Sequence, residues 1–171
     1  MPEPMPEPMP TYAYMDSPVG RLLVAGEPGR LHRIGFANES WTRNPPSGWR
    51  YDDLAVNEPI NQLRAYFAGE LTCFDLVLHF TGTAFQNKVW SALCKIPFGE
   101  TSSYGALAQR IARPKASRAV GAANGANPLP IVVPCHRVIG ANGALTGFGG
   151  GIEAKRYLLD HEQRVLGKTT S

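Results

Sequence analysis

The sequence predicts an α+β chain, a first half of short strands with one helix followed by a second half that is mostly helix. Three observations predict it. Short runs of apolar residues, bounded by Gly, Pro, Asn and Ser, recur up to Leu78. Beyond Thr83 the apolar residues recur instead at helical spacing. The charge changes sign at the same place: residues 1–82 carry six basic and ten acidic side chains, net −4, and residues 83–171 carry eleven and four, net +7. A basic half joined to an acidic one points to a polyanion partner for the second half only.

At 171 residues the chain fits one domain or two small ones, with room for a core. Its 43% hydrophobic and 18% charged residues exclude wholesale disorder. No apolar run approaches the ~18 residues of a membrane span. Cysteines 73, 94 and 135 form no CxxC pair and cannot build a disulfide framework. That argues for a reducing compartment and against a structural zinc site.

Residues 1–10, a proline-alternating MPEP repeat, read as a disordered tail and not as a secretory signal. Residues 11–82 form the first predicted domain. Thr11–Met15, Arg21–Ala25 and Leu31–Phe36 are strand candidates, with a turn at Ser17-Pro18-Val19-Gly20. Residues 41–51, holding Asn44-Pro45-Pro46 and Ser47-Gly48, read as loop. A helix over Pro59–Phe67 carries the stripe Ile60, Leu63, Tyr66 and Phe67. Phe74, Leu76 and Leu78 alternate as in a strand. Nothing in this half resembles a reaction centre.

Residues 83–171 form the second predicted domain. Phe85, Val89, Trp90, Leu93 and Ile96 share a helical face, on which Cys94 is expected to pack, and Pro97-Phe98-Gly99 ends that helix. Ser102 or Ser103 can cap the next one, with Tyr104, Leu107, Ala108 and Ile111 on its face. A third, Lys115–Ala123, follows after about three residues, a helix-turn-helix spacing. Its residues Ala116, Ser117, Ala119, Gly121, Ala122 and Ala123 offer little bulk. They suit either tight packing on the preceding helix or close approach to a nucleic-acid groove.

Ile131-Val132-Val133 reads as a buried strand leading into Pro134-Cys135-His136-Arg137-Val138. A cysteine beside a histidine suits a thiolate–imidazole pair, but neighbours on a regular strand face opposite ways. A turn there would bring both to one side. Asn142-Gly143 reads as a tight turn. The run Thr146-Gly147-Phe148-Gly149-Gly150-Gly151 lacks the spacing of a nucleotide-phosphate loop. In a final helix, Ile152–Glu162, Glu162 is either a surface carboxylate or a partner for a histidine.

Read together, Phe85-Gln86, Val89-Trp90, Ile96-Pro97-Phe98-Gly99, Ser103-Tyr104-Gly105, Arg118-Ala119-Val120-Gly121, Asn127-Pro128 and Pro134-Cys135-His136-Arg137-Val138 occur in that order. This resembles the O6-alkylguanine-DNA alkyltransferases of the bacterial Ogt type, closely over residues 83–165. The resemblance implies an N-terminal ribonuclease H-like α/β domain and a C-terminal winged helix-turn-helix-like domain. It implies direct-reversal repair, in which O6-alkylguanine, and O4-methylthymine too, is flipped from double-stranded DNA and loses its alkyl group irreversibly to Cys135. His136 would be the base, acting through a water, Glu162 would orient it, and Asn127 would brace the turn. Tyr104, Val138, Phe148 and Gly149 would line the substrate pocket. The helix bearing Ala116, Ser117, Ala119 and Gly121, together with Ser103, would meet the minor groove, with Arg118 filling the vacated base stack. The implied protein is cytoplasmic, needs no cofactor and is a monomer, with cooperative binding on DNA left open; with no four-cysteine module and no zinc-ligand pattern in the first half, no metal is expected. A non-catalytic lesion-binding relative would lack the cysteine. A Cys–His hydrolase would need a remote histidine and an oxyanion hole, for which His32, His79 and His161 offer no motif.

Overall fold

In the computed structural model residues 9–145 and 148–169 are described; the proline repeat at 1–8 and Thr146-Gly147 of the glycine run lie outside them. The first part is a four-stranded sheet in the order β3-β2-β1-β4. Strands β1 (Thr11–Met15), β2 (Leu22–Glu27) and β3 (Arg30–Phe36) pair antiparallel, and β4 (Arg50–Tyr51) runs parallel to β1. In β1, Thr11, Ala13 and Met15 are buried while Tyr12 and Tyr14 are only half-buried, the period of two expected of a one-sided strand. The Ser17–Gly20 turn forms as predicted, with Gly20 N–H donating to Ser17 O at 3.0 Å.

Three expectations fail here for physical reasons. Residues 41–51 are not all loop. One helical turn, α1 (Ser40–Arg43), folds where Thr42 Oγ1 bonds Phe36 O at 3.0 Å, and Arg50–Tyr51 adds the edge strand. Helix α2 begins at Asn57, because proline in a first turn lacks only an N–H that has no helical partner there (α2, Asn57–Phe67). Phe74–Leu78 keeps its alternating burial but forms no strand. It meets β3 at a single bridge, Leu31 to Leu78, so its alternation reflects packing without a ladder.

The second part begins with α3 (Ala84–Leu93), held at its start by a capping box between Thr83 and Gln86. Ser103 caps α4 (Tyr104–Arg110), accepting from Ala106 N–H at 3.1 Å. Helix α5 runs Ser117–Gly125, so the connection Ile111–Ala116 is longer than expected. Ala112 takes the left-handed conformation at φ 61°, and Arg113 N–H reaches back to Ala108 O at 2.8 Å, a Schellman-type stop that delays the next start. Ala116 is therefore the residue preceding α5. Residues 131–133 are buried but form no strand: Pro130 and Pro134 flank them, Ile131 sits at φ 76°, and a bridge joins Pro130 to Val133. A short parallel pair, β5 (Ser102–Ser103) with β6 (Val138–Ile139), follows, and α6 extends from Ile152 to Thr169.

Cys94 caps the end of α3 and is exposed, contrary to the packing role expected of it; the buried stripe ends at Leu93. The apolar interior is continuous across both parts, joining Leu63 and Tyr66 to Leu93, Ile96 and Leu158. Among the described residues no helix is long and apolar enough to cross a membrane.

Candidate active site

Cys135 opens a single 3-10 turn, Cys135–Arg137, instead of continuing a strand. The strained approach through Ile131 builds this turn. A β-branched residue at positive φ is unfavourable, and here it redirects the chain so that Cys135 N–H bonds Val133 O at 2.7 Å and Arg137 N–H bonds Pro134 O at 3.0 Å. The turn removes the strand objection to a Cys–His pairing. Asn127 holds the approach from both ends of its amide: Nδ2 donates to Val133 O, and Oδ1 accepts from Leu129 N–H, each at 2.9 Å. Asn124, which the sequence did not single out, reaches Cys135 O at 3.5 Å.

Glu162 is no surface carboxylate; it is 1% exposed and collects five hydrogen bonds. Its Oε2 accepts from Tyr66 OH at 2.7 Å, His136 Nε2 at 2.7 Å and an Arg137 terminal nitrogen at 3.0 Å; Oε1 accepts from Gly99 N–H and Arg137 Nε, each at 2.9 Å. Helix α6 delivers it on a stripe in which Ala154, Lys155, Leu158, His161, Glu162 and Val165 are all buried. Tyr66, Gly99 and Arg137 escaped prediction. Tyr66 reads in the sequence as a core residue of α2, and its hydroxyl partner lies 96 residues away.

The electrostatics follow. Burial alone would raise the Glu162 pKa, but the hydrogen bond from His136 and the hydrogen bonds and charge of Arg137 hold the carboxyl well below its usual range. Burial lowers the His136 pKa against the pull of Glu162, with Arg137 and Lys155 adding to the lowering. With Arg137 already neutralising Glu162, His136 is neutral at neutral pH. A carboxylate only accepts, so Nε2 carries the imidazole hydrogen and Nδ1 keeps its lone pair. That Nδ1 is buried and has no hydrogen-bond partner among the described residues. Burial pushes the Cys135 thiol up to about 11, while Asn127 and Lys155 pull it down. Lys155 is fully buried and its Nζ donates to Val138 O at 2.6 Å. The resting pair is therefore thiol and neutral imidazole.

A cavity of about 220 Å³ opens onto Cys135. Asn127, Pro128, Pro130, Phe148 and Gly149 line it from the second part, and Arg33, Ile34, Phe36 and Glu39 line it from the first. The first half, whose sequence resembles no reaction centre, thus supplies one wall of the cavity from β3 and the loop after it. Val138 is buried, and its carbonyl already holds Lys155.

Tyr104 begins α4 half-buried, its ring lying 3.7 Å from where a side chain on Gly121 would start. On α5, Ser117, Arg118, Ala119 and Ala122 are exposed, while Val120 and Ala123 are buried. Trp90 Nε1 ties the helix to α3 by donating to Ala123 O at 2.9 Å. The small residues thus pack on one side of the helix, and the other side faces outward beside exposed Arg113 and Lys115. Ser103 and Ala116 are half-buried at the two helix starts. Among the described residues no group of three or more His, Cys, Asp or Glu side chains is placed to hold a metal ion.

Two family models match the chain. Residues 11–80 match the 6-O-methylguanine DNA methyltransferase ribonuclease-like domain, and residues 84–164 match the DNA binding domain of the same proteins. The methylated-DNA–protein-cysteine methyltransferase of Mycobacterium tuberculosis is 51% identical over 152 residues, covering 89% of this chain and 92% of the relative. That of Methanosarcina acetivorans is 49% identical over 151 residues, covering 88% and 97%. The crystal structure of Mycobacterium tuberculosis OGT in complex with DNA superposes with a TM-score of 0.85 at 50% identity, covering 91% of this chain and 94% of that one. The O6-methylguanine-DNA methyltransferase of Pyrococcus kodakaraensis gives 0.61 at 27%, covering 90% and 99%. Motif order, fold and a Cys–His–Glu arrangement under a small cavity thus agree with identity over nearly the whole length, and the chain belongs to the methylated-DNA–protein-cysteine methyltransferase family.

Proposed function

We propose that this chain repairs DNA by taking the alkyl group of O6-alkylguanine, and of O4-methylthymine, onto Cys135 in a single irreversible turnover. The observation that carries this reading is a buried thiol at a base-sized cavity, followed in the chain by a neutral histidine whose Nδ1 lone pair is unengaged. His136 Nδ1 receives the thiol proton through a water. Glu162, fixed by Arg137, Tyr66 and Gly99, holds the imidazole and stabilises the charge that develops on it. The sulfur electron pair then forms the S–C bond as the O6–C bond breaks. The bonding pair leaves with guanine, and the proton given up by the thiol ends on the restored base. The thioether has no leaving group, so the protein is consumed.

Guanine O6 is reached only if the nucleotide leaves the stack. The exposed small side chains of α5 let the helix enter the minor groove, and Arg118 fills the gap. Tyr104 crowds the target phosphate, the carbonyls of Cys135 and Val138 read the exocyclic amine, and Gly149 N–H supports O6 beside Phe148. Asn127 keeps the Cys135 turn in register. Residues 11–82 act as the supporting part and 83–171 as the DNA-binding and alkyl-accepting part. The protein works as a cytoplasmic monomer and uses no metal or cofactor.

The test is to incubate the protein with a duplex containing O6-methylguanine and to map the product by peptide mass spectrometry. One added methyl group on Cys135 is expected, with guanine restored in the duplex. A methylated Cys73 or Cys94 beside an unmodified Cys135 overturns the assignment.

A further inference from the structure

We propose that Phe36, contributed by the first part of the chain, is a specificity-determining residue that limits the size of the O6 substituent the Cys135 cavity accepts. The inference rests on the alkyl-acceptor reading of Cys135 and adds a role for the part of the chain that carries no nucleophile.

Phe36 ends β3, is 3% exposed and lines the same cavity as Cys135. Its ring meets Phe148 edge to face, with centroids 5.3 Å apart at 65°. It also presses on the glycine run, since a side chain begun on Gly150 would lie 2.9 Å from the Phe36 ring. Phe148 therefore cannot swing toward β3 unless Phe36 yields.

The backbone of Phe36 is itself held at both its N–H and its carbonyl. Its N–H donates to Glu39 Oε1 at 3.0 Å, and its carbonyl accepts from Thr42 Oγ1 at 3.0 Å. The other Glu39 oxygen accepts from Trp41 Nε1 at 3.0 Å. Trp41 and Thr42 lie so close over Gly35 that a side chain there would meet them at 2.2 and 2.4 Å. The wall also grips the opposite loop directly, for Asn38 Nδ2 donates to Gly149 O at 3.1 Å. A braced aromatic pair over about 220 Å³ leaves less room than the roughly 300–1,000 Å³ of pockets that take drug-sized ligands. A base with a small alkyl group suits that space, and a benzyl group needs the wall to give way.

Two duplexes identical except for O6-methylguanine or O6-benzylguanine test this, with the rate of Cys135 adduct formation measured for each in single turnover. Wild type should favour the methyl substrate. Phe36→Ala should raise the benzyl-to-methyl rate ratio about tenfold, with Phe36→Leu in between, the scale on which apolar pockets discriminate size. Asn38→Ala, an exposed substitution that frees the loop, should move the ratio the same way. Should Phe36→Ala fail to fold, the Leu and Asn38 variants decide. An unchanged ratio in the variants that fold, even with both rates lowered, reduces Phe36 to a core residue and overturns the proposal. Absence of any Cys135 adduct in wild type overturns instead the functional reading beneath it.

Discussion

His136 and Glu162 divide their work by burial. With Arg137 bound to both of its oxygens, Glu162 stays ionised without needing a protonated histidine, so the imidazole remains a base. A pH dependence follows with a definite sign. His136 accepts a proton only when neutral, and burial places its pKa below 6.5. The single-turnover rate should stay level as pH falls to 6.5 and decline only at more acid values. Half-loss of rate above 6.5, in protein shown folded by circular dichroism, would mean that His136 is not held neutral. At this scale the sequence was partly legible. Cys135 and His136 stand together in one motif, and Arg137 stands in it too, yet nothing local shows that its guanidinium folds back onto a carboxylate 25 residues on. In the sequence Tyr66 belongs to a helical apolar stripe and Phe36 ends a strand candidate; only a three-dimensional neighbour gives the hydroxyl or the ring edge a further role.

Among the elements, α5 divides its residues most plainly between a packed side and an outward one. It buries Val120 and Ala123 and leaves Ser117, Arg118, Ala119 and Ala122 outside, so its outward face is narrow and carries one long side chain. Arg118→Ala should leave stability within about 0.5 kcal/mol, as expected for an exposed position. It should slow transfer from duplex DNA about tenfold or more, since an unfilled stack leaves the flipping cost unrecovered. Transfer from the free base O6-methylguanine, which needs no flipping, should hardly change. Equal slowing with both substrates would remove Arg118 from the flipping step. Helices were the legible elements because apolar periodicity survives in a single sequence, as in α2, α3 and α6. Strand-like stretches misled where prolines or a single bridge prevented a ladder, at 131–133 and at 74–78. Hydrophobic alternation reports burial, and pairing is a separate matter.

Across the whole molecule the charge split and the core tell different stories. Net −4 and net +7 divide the chain near residue 82, whereas the apolar interior runs through that division without interruption. The two parts are also joined by polar bonds, Tyr66 to Glu162 and Ile34 N–H to Pro128 O at 2.9 Å. Tyr66→Phe removes the first of these while keeping the ring. It should lower unfolding stability by about 1.5–3 kcal/mol, the range for hydrogen bonds to charged groups. The fall should appear as a single shifted transition in urea; two separate transitions would show that the parts unfold independently.

The continuous core also decides how this chain can be dissected. A cut after Gly82 would leave each fragment with half of an apolar interior facing water. The second fragment would in addition keep a carboxylate deprived of its tyrosine. Such fragments belong to the chemistry of complementation, each a template for the other. A loop inserted at exposed Thr81, ahead of the Gly82 contact with Trp90 and of the Thr83 cap, asks the interior to give up little. The segment that divides the chain by charge is therefore suited to carry cargo and unsuited to being severed.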